Sequence, residues 1–147
     1  SDNELIEERL VVPFRERYGN DLIYKDDAMR RLVQALKQGR NVGILPDQKP
    51  GPKNSLITTF FGRQCYTTKT IASLYLKFRP VLIPIFARRG EDDRYEIVIK
   101  DFPPLPEGLN KDEAELFITQ KCNDIFEEVV RTAPQQWFWM HKRWKMD

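Results

Sequence analysis

The sequence predicts a mixed α/β fold in which a short, partly parallel sheet is flanked by helices. Three observations support this class. Amphipathic helical patterns alternate with short apolar runs, glycines and prolines separate them, and no repeat or low-complexity segment interrupts the order. The 147 residues, 41% hydrophobic and 31% charged, have the composition of one globular domain with a single core.

The first two patterns along the chain are helical. Residues 4–18 have apolar side chains near helical spacing, and Pro13 predicts a break or kink within them. A second helix begins after a cap at Asp26 or Asp27, and Gly39 occupies the position of a left-handed C-terminal cap. Its predicted apolar face consists of Met29, Leu32, Val33 and Leu36.

A short buried strand and a candidate binding loop follow. Val42–Leu45 is the strand, and Pro46 closes it. Residues 47–54 then form a loop rich in proline and lysine. Because ligands of open α/β sheets bind beyond the carboxyl ends of strands, we predict that this loop contributes to a site.

The second half of the chain contains two further helices and two strands. Thr67 or Thr68 is a candidate cap for a helix that continues to about Phe78. Next come a buried strand at Val81–Ala87 and an alternating strand at Tyr95–Ile99. The helix lies between the buried strands Val42–Leu45 and Val81–Ala87, and this order predicts a βα crossover. A long amphipathic helix from Asp112 to about Val130 buries Leu116, Phe117, Ile125, Phe126 and Val129.

Charge is unevenly distributed along the chain, although the net charge is only +2. The stretch from Lys37 to Arg89 contains ten basic residues and a single acid, Asp47, so it carries +9 and the remainder carries −7. This asymmetry indicates a face that attracts anions, such as phosphate groups, nucleic acid or an acidic membrane surface.

Neither cysteine nor histidine chemistry is indicated. Cys65 and Cys122 have no metal-ligand spacing, and both are interpreted as small buried side chains in a reducing compartment. The single histidine, His141, has cationic neighbours and no nearby carboxylate except Asp147, so we assign it no catalytic role. The sequence also has no glycine-rich phosphate loop, metal cluster or nucleophile elbow, and we expect no metal or other cofactor.

No apolar run is long enough to span a membrane. The longest, Val81–Ala87, is far shorter than the roughly 20 residues required. The polar first residues are unlike a secretory signal, so we expect a cytosolic protein or a targeting segment upstream of Ser1.

Four segments of the sequence form a recognisable set. They are Leu45-Pro46-Asp47-Gln48, Phe60-Phe61-Gly62, Ile83-Pro84-Ile85 with Arg88, and Pro134 to Trp144. Together they resemble the bacterial lipid A biosynthesis acyltransferases, a branch of the glycerolipid acyltransferase superfamily. The resemblance runs from about Leu22 to Lys145 and is most specific at its end, in Gln136-Trp137-x-Trp139-x-His141-x-Arg143-Trp144. It implies transfer of a fatty acyl chain from acyl carrier protein to a lipid A precursor at the cytoplasmic face of the inner membrane.

The chain departs from the superfamily in its catalytic block. That block is a histidine followed five positions later by Asp or Glu, whereas the fifth residue after His141 is Met146. The resemblance therefore implies that residues 1–147 are the C-terminal portion of a single acyltransferase domain, with the catalytic pair and a membrane helix upstream of Ser1. By itself this portion is expected to be inactive.

The resemblance also implies a set of substrate-binding residues. Asp47 resembles the acidic residue of the third block and Pro84 the proline of the fourth, although Asp-Gln replaces the superfamily's Glu-Gly-Thr-Arg form. The phosphates of the glycolipid acceptor and the acidic acyl carrier protein are anionic partners for the cations of the basic stretch. The candidate binding residues are Asp47, Gln48, Lys49, Lys53, Arg63, Pro84 and Arg88.

Alternatives remain open for the function and for the C-terminal tryptophans. A non-enzymatic module that binds anionic lipid or RNA would also use basic and aromatic residues, but no RNA-binding signature is present and we expect no nucleic acid partner. Acyl transfer to another glycolipid is a further alternative. Trp137, Trp139 and Trp144, beside Lys142, Arg143 and Lys145, suit either a membrane interface or packing on the core, and packing is preferred because each indole buries a large area.

Overall fold

A computed structural model describes residues 6–24 and 27–146 of the chain. The chain forms two compact units, residues 1–42 and 43–147. Asp26, one of the two predicted helix caps, and Asp147 lie outside the described residues. Among the described residues no helix is long and apolar enough to cross a bilayer.

The first unit is helical, as predicted. A π-helical segment, Glu7–Val11, continues directly into helix α1, Val12–Glu16, and Pro13 lies just after the change from π to α geometry. Helix α2 spans Ala28–Lys37, and Gly39 has the left-handed φ of +72° expected of its C-terminal cap. Asp27 precedes α2, but its carboxylate accepts a hydrogen bond from Arg30 rather than from a backbone N–H.

The first two strands of the second unit form a hairpin that was not predicted. Strands β1, Ser55–Phe60, and β2, Arg63–Thr68, pair antiparallel from Ser55 opposite Thr68 to Phe60 opposite Arg63. Phe61 and Gly62 connect them with φ values of +50° and +70°, as a two-residue hairpin turn requires. The alternation of β-branched and aromatic residues before and after Phe-Gly was the signal for this hairpin.

The hairpin changes the predicted start of the next helix. Thr67 is fully buried within β2, so its prediction as a helix cap is wrong. Helix α3 spans Thr70–Phe78, and the hydroxyl of Thr68 accepts a hydrogen bond from the Thr70 amide at 3.3 Å.

The predicted parallel strands are not observed. Residues 42–45 have no regular secondary structure, and Leu45 is exposed. Strand β3 spans Ile85–Arg89, so it begins four residues and ends two residues later than predicted. It pairs antiparallel with β4, Tyr95–Ile99, which lies where it was predicted. Within residues 6–24 and 27–146 the sheets are the two hairpins β1–β2 and β3–β4, so the mixed α/β class is confirmed, whereas the parallel pairing and the βα crossover are not.

The long C-terminal helix α4 spans Lys111–Thr132 and confirms the prediction within two residues at each end. Asn110 and Glu113 form a capping box at its start. Its buried face is partly polar because it packs on β1 and α3, and it includes Thr119 and Asn123. Leu116, predicted to be buried, is nearly half exposed because it lies off this face.

The β3–β4 hairpin carries apolar side chains on both faces, and the inner face also carries the Arg88–Glu96 ion pair. On the inner face Phe86 meets Phe126 of α4 edge to face, with ring centroids 5.0 Å apart. On the outer face Ile97 and Ile99 remain 62% and 63% exposed, and Ile85 lies opposite Ile99. The segment predicted as a buried strand is therefore covered on one side only.

We predict that Gly62→Ala lowers the free energy of unfolding by about 1 kcal/mol, because a side chain disfavours positive φ. No atom lies within 4 Å of an added Cβ, so the effect is confined to the backbone. Gly51→Ala is the matched control, since Gly51 is equally open and has φ −65° and ψ 154°. Denaturant unfolding of the two variants tests this, and equal stabilities would contradict the assigned turn.

Candidate functional site

A buried arginine joins three separate segments of the second unit. Arg143, with 2% of its surface exposed, donates hydrogen bonds to the carbonyl of Tyr66, to Thr67 Oγ1 at 2.7 Å and to Asn123 Oδ1 at 3.1 Å. These acceptors lie on β2 and α4. The fork of guanidinium N–H groups therefore fixes the C-terminal segment against both elements.

The acceptors of Arg143 are themselves held in place. Thr58 on β1 and Thr67 on β2 share a hydrogen bond of 2.8 Å, and the Asn123 amide donates to both hydroxyls, at 2.9 and 3.1 Å. Cys65 is fully buried beside them. We call Thr58, Cys65, Thr67, Asn123 and Arg143 the Arg143 cluster.

Asp47 lies close enough to Arg143 for the two charges to interact. Burial lowers the pKa of the Arg143 guanidinium, while Cys65 and the negative charge of Asp47 act in the opposite direction. The hydrogen-bond acceptors of Arg143 in the cluster are neutral, and the charge of Asp47 adds a smaller favourable interaction.

The other residues of the predicted binding loop differ in exposure. Pro46 is buried and Asp47 is half-buried, so the loop is anchored at its start. Gln48 is exposed, Lys49 is half-buried, and Lys53 is exposed within a 3₁₀ turn at Pro52–Asn54. The polar groups of this loop thus project from a fixed base.

Arg63, the first residue of β2, contacts Trp144 of the C-terminal segment. Its guanidinium lies over the Trp144 ring, 5.7 Å from the centroid, and is exposed. The Trp144 indole donates to the Phe60 carbonyl at 2.9 Å and stacks on the Phe60 ring. Because Trp144 follows Arg143 directly, the same short segment contacts the β1–β2 hairpin and carries the buried guanidinium.

The tryptophans mainly pack, as predicted. Trp137 lies between Phe60 and Phe126, with centroid distances of 5.9 and 6.0 Å, and Trp139 stacks near Trp144 at 6.3 Å. The segment is a series of turns rather than the short helix considered from the sequence.

Arg88 and Pro84 belong to the β3–β4 hairpin. The Arg88 guanidinium donates to Glu96 at 2.6 and 3.2 Å and to the Thr132 hydroxyl at 3.4 Å. Pro84 is half-buried, and its carbonyl accepts from the Lys100 amide at 3.0 Å. Neither residue contacts the Arg143 cluster through any hydrogen bond resolved in the described part of the chain.

Much of the basic stretch is already paired within the protein. Arg89 pairs with Asp93 at 3.0 Å, and Lys69 lies 3.9 Å from Glu115. Arg79 lies over the Tyr75 ring. The excess of +9 in sequence is therefore only partly available to an external anion.

His141 and Cys122 have surroundings that suit packing rather than catalysis. The enclosed Nδ1 of His141 has no hydrogen-bond partner within residues 6–24 and 27–146, so no described carboxylate orients its ring. Burial raises the pKa of the Cys122 thiol to about 12, which keeps it protonated at neutral pH.

The Arg143 cluster is the part of the site that sequence reasoning did not identify. Arg143 was grouped with Lys142 and Lys145 as a surface cation, and Asn123 was not considered. The signal in the sequence was a set of small polar side chains on one face of the hairpin: Thr58 lies opposite Cys65, and Thr67 is two residues further along β2. Buried polar groups of this kind require a hydrogen-bond donor.

Comparison with known proteins gives a consistent set of relatives. A family model described as bacterial lipid A biosynthesis acyltransferase matches residues 1–146. The lipid A biosynthesis myristoyltransferase of Escherichia coli (strain K12) is 30% identical over 129 residues, covering 87% of this chain and 39% of the relative. The lauroyltransferase of the same organism is 29% identical over 150 residues, covering 99% and 46%, and its palmitoleoyltransferase is 31% identical over 119 residues, covering 80% and 37%.

We predict that Arg143→Met lowers the free energy of unfolding by about 2 to 4 kcal/mol, because it removes the donor of three internal hydrogen bonds, to the Tyr66 carbonyl, the Thr67 hydroxyl and the Asn123 side chain. Arg94→Met is the control: Arg94 is 87% exposed and its change should stay within about 0.5 kcal/mol. Denaturant unfolding measures both. Equal stabilities would show that the cluster does not hold the C-terminal segment.

Proposed function

Because the chain belongs to the bacterial lipid A biosynthesis acyltransferase family, we propose that the whole protein transfers a fatty acyl chain from acyl carrier protein to a lipid A precursor. The family match over residues 1–146 carries this proposal. The chain spans less than half the length of the curated relatives it matches, 37% to 46% in the three compared above. Activity is accordingly proposed for the whole protein.

In this proposal the chain supplies groups that hold the acceptor. Asp47, at the anchored start of the loop, would orient an acceptor hydroxyl with its carboxylate. The exposed cations Lys53 and Arg63 would meet acceptor phosphates, with Gln48 and Lys49 adjoining them. Arg88 and Pro84 would contribute through the β3–β4 hairpin, with Arg88 held by Glu96.

The chemical step would use groups elsewhere in the whole protein. A histidine oriented by a carboxylate would remove the proton from the acceptor hydroxyl, whose oxygen attacks the acyl thioester. The new ester forms as the carbon–sulfur bond breaks, and the thiol of acyl carrier protein leaves with the proton. His141 is not proposed for this role because its enclosed Nδ1 has no partner among the described residues.

The apolar outer face of β3–β4 would be covered in the whole protein. A sheet that is apolar on both faces is stable when helices cover both sides. We propose that the rest of the protein covers Ile85, Ile97 and Ile99, and that its strands make the sheet partly parallel. The reaction would take place at the cytoplasmic face of the inner membrane, where both substrates meet.

We predict that Asp47→Asn in the whole protein lowers the rate of acyl transfer about tenfold or more, equivalent to ~1.4 kcal/mol for one charge-assisted contact, while the protein remains folded. Asn preserves the local turn but removes the charge. Asp101→Asn, an exposed residue with the same change in charge, is the control. Transfer rates and thermal melts are measured for both, and a wild-type rate for Asp47→Asn would contradict a role of its charge in holding the acceptor.

We also predict that this chain binds a phosphorylated lipid A precursor weakly and with steep salt dependence, because the exposed cations are screened over about 8 Å at physiological salt. Lys53→Glu and Arg63→Glu should each weaken binding several-fold at low salt. Lys111→Glu, an equal change at the exposed start of α4, should not. Titration at two salt concentrations checks this, and binding insensitive to salt and to both reversals would contradict it.

A further inference from the structure

The turn that carries the C-terminal tryptophans also exposes apolar side chains. Phe138 and Met140 are 68% and 84% exposed, while Trp139 between them is 45% exposed. These residues follow a 3₁₀ turn at Pro134–Gln136 and precede Arg143. Two large apolar groups thus project from one short turn.

The exposed side chains lie on a turn that is held from within. The Trp139 indole donates to the Pro134 carbonyl at 2.7 Å, and the Trp139 amide donates to the Trp137 carbonyl at 2.9 Å. The Trp139 ring also lies 5.5 Å from the Phe61 ring. Because these contacts fix the backbone, Phe138 and Met140 are kept out of the core of this unit.

Cations surround this turn. The Arg63 guanidinium lies over Trp144, which stacks with Trp139, and the Arg131 guanidinium lies 4.9 Å from the Phe61 centroid. Lys142 is exposed two residues after Met140. Glu127 pairs with Arg131 and accepts from the Phe61 amide, so the positive charge near the turn comes from Arg63 and Lys142.

Exposed apolar side chains with cations beside them are typical of protein surfaces that bind anionic membranes. Aromatic residues favour the depth of the lipid headgroups, and lysine and arginine are attracted to anionic lipid. A protein partner would need roughly 800 Å² on each side, more than two side chains offer, whereas insertion into a bilayer needs only about 5–10 Å of depth.

We propose that the turn formed by Phe138, Trp139 and Met140 inserts into the headgroup region of an anionic phospholipid bilayer. Arg63 and Lys142 contact lipid phosphates beside it. This surface goes beyond the proposed acyl transfer, because its ligand is the bilayer itself rather than the acceptor.

The test measures binding of this chain to vesicles that contain no lipid A precursor. Vesicles of phosphatidylcholine with phosphatidylglycerol are compared with vesicles of phosphatidylcholine alone in a flotation assay. We expect at least tenfold tighter binding to the anionic vesicles, and a loss of tenfold or more in a Phe138→Ser/Met140→Ser variant. Brominated lipid should quench tryptophan emission in the wild type and less in a Trp139→Phe variant.

The matched control is Ile97→Ser/Ile99→Ser, which removes two equally exposed apolar groups from β4. Its vesicle binding should stay within twofold of wild type, and thermal melts confirm that both double variants are folded. Equal binding by the Phe138/Met140 variant, equal losses in both variants, or self-association of the chain without vesicle binding would each overturn the proposal. A wild-type transfer rate for Asp47→Asn would leave it untouched, because no acceptor is present.

Discussion

The second unit depends on the burial of one guanidinium group. Removing a charge from water is costly unless hydrogen bonds replace the lost hydration. Arg143 donates such bonds to the Tyr66 carbonyl, the Thr67 hydroxyl and the side-chain oxygen of Asn123. Those acceptors come from chain segments far apart in sequence. The C-terminal segment, the β1–β2 hairpin and α4 must therefore assemble together, and the tryptophans that flank Arg143 take their positions from this constraint.

The same constraint determines which charges are available to a ligand. The Arg143 guanidinium faces inward and makes its hydrogen bonds within the protein. Arg88 forms an ion pair with Glu96. Lys53 and Arg63 remain exposed. A basic stretch in sequence is thus divided into internal pairs and a smaller outward-facing set, and only the second can contribute salt-dependent attraction to anions.

Two exposed apolar surfaces of the unit differ in kind. The outer face of β3–β4 is a flat sheet surface on which Ile85, Ile97 and Ile99 adjoin one another, and sheets of this composition pack against helices. The turn at Phe138 and Met140 is narrow, is held by indole hydrogen bonds and has cations around it. We therefore propose different partners for them, the rest of the protein for the first and a lipid surface for the second.

The sequence by itself determined the elements with local causes. Helices α2 and α4 follow from apolar spacing and caps, β4 from alternation, and the family from short motifs around Asp47 and the C-terminal tryptophans. Tertiary structure decided which polar groups are buried, because an inward Arg143 requires acceptors that only the folded hairpin and Asn123 bring together. It also decided the pairing of β3, which is antiparallel with β4, because an apolar run by itself does not specify which strand supplies its backbone hydrogen bonds.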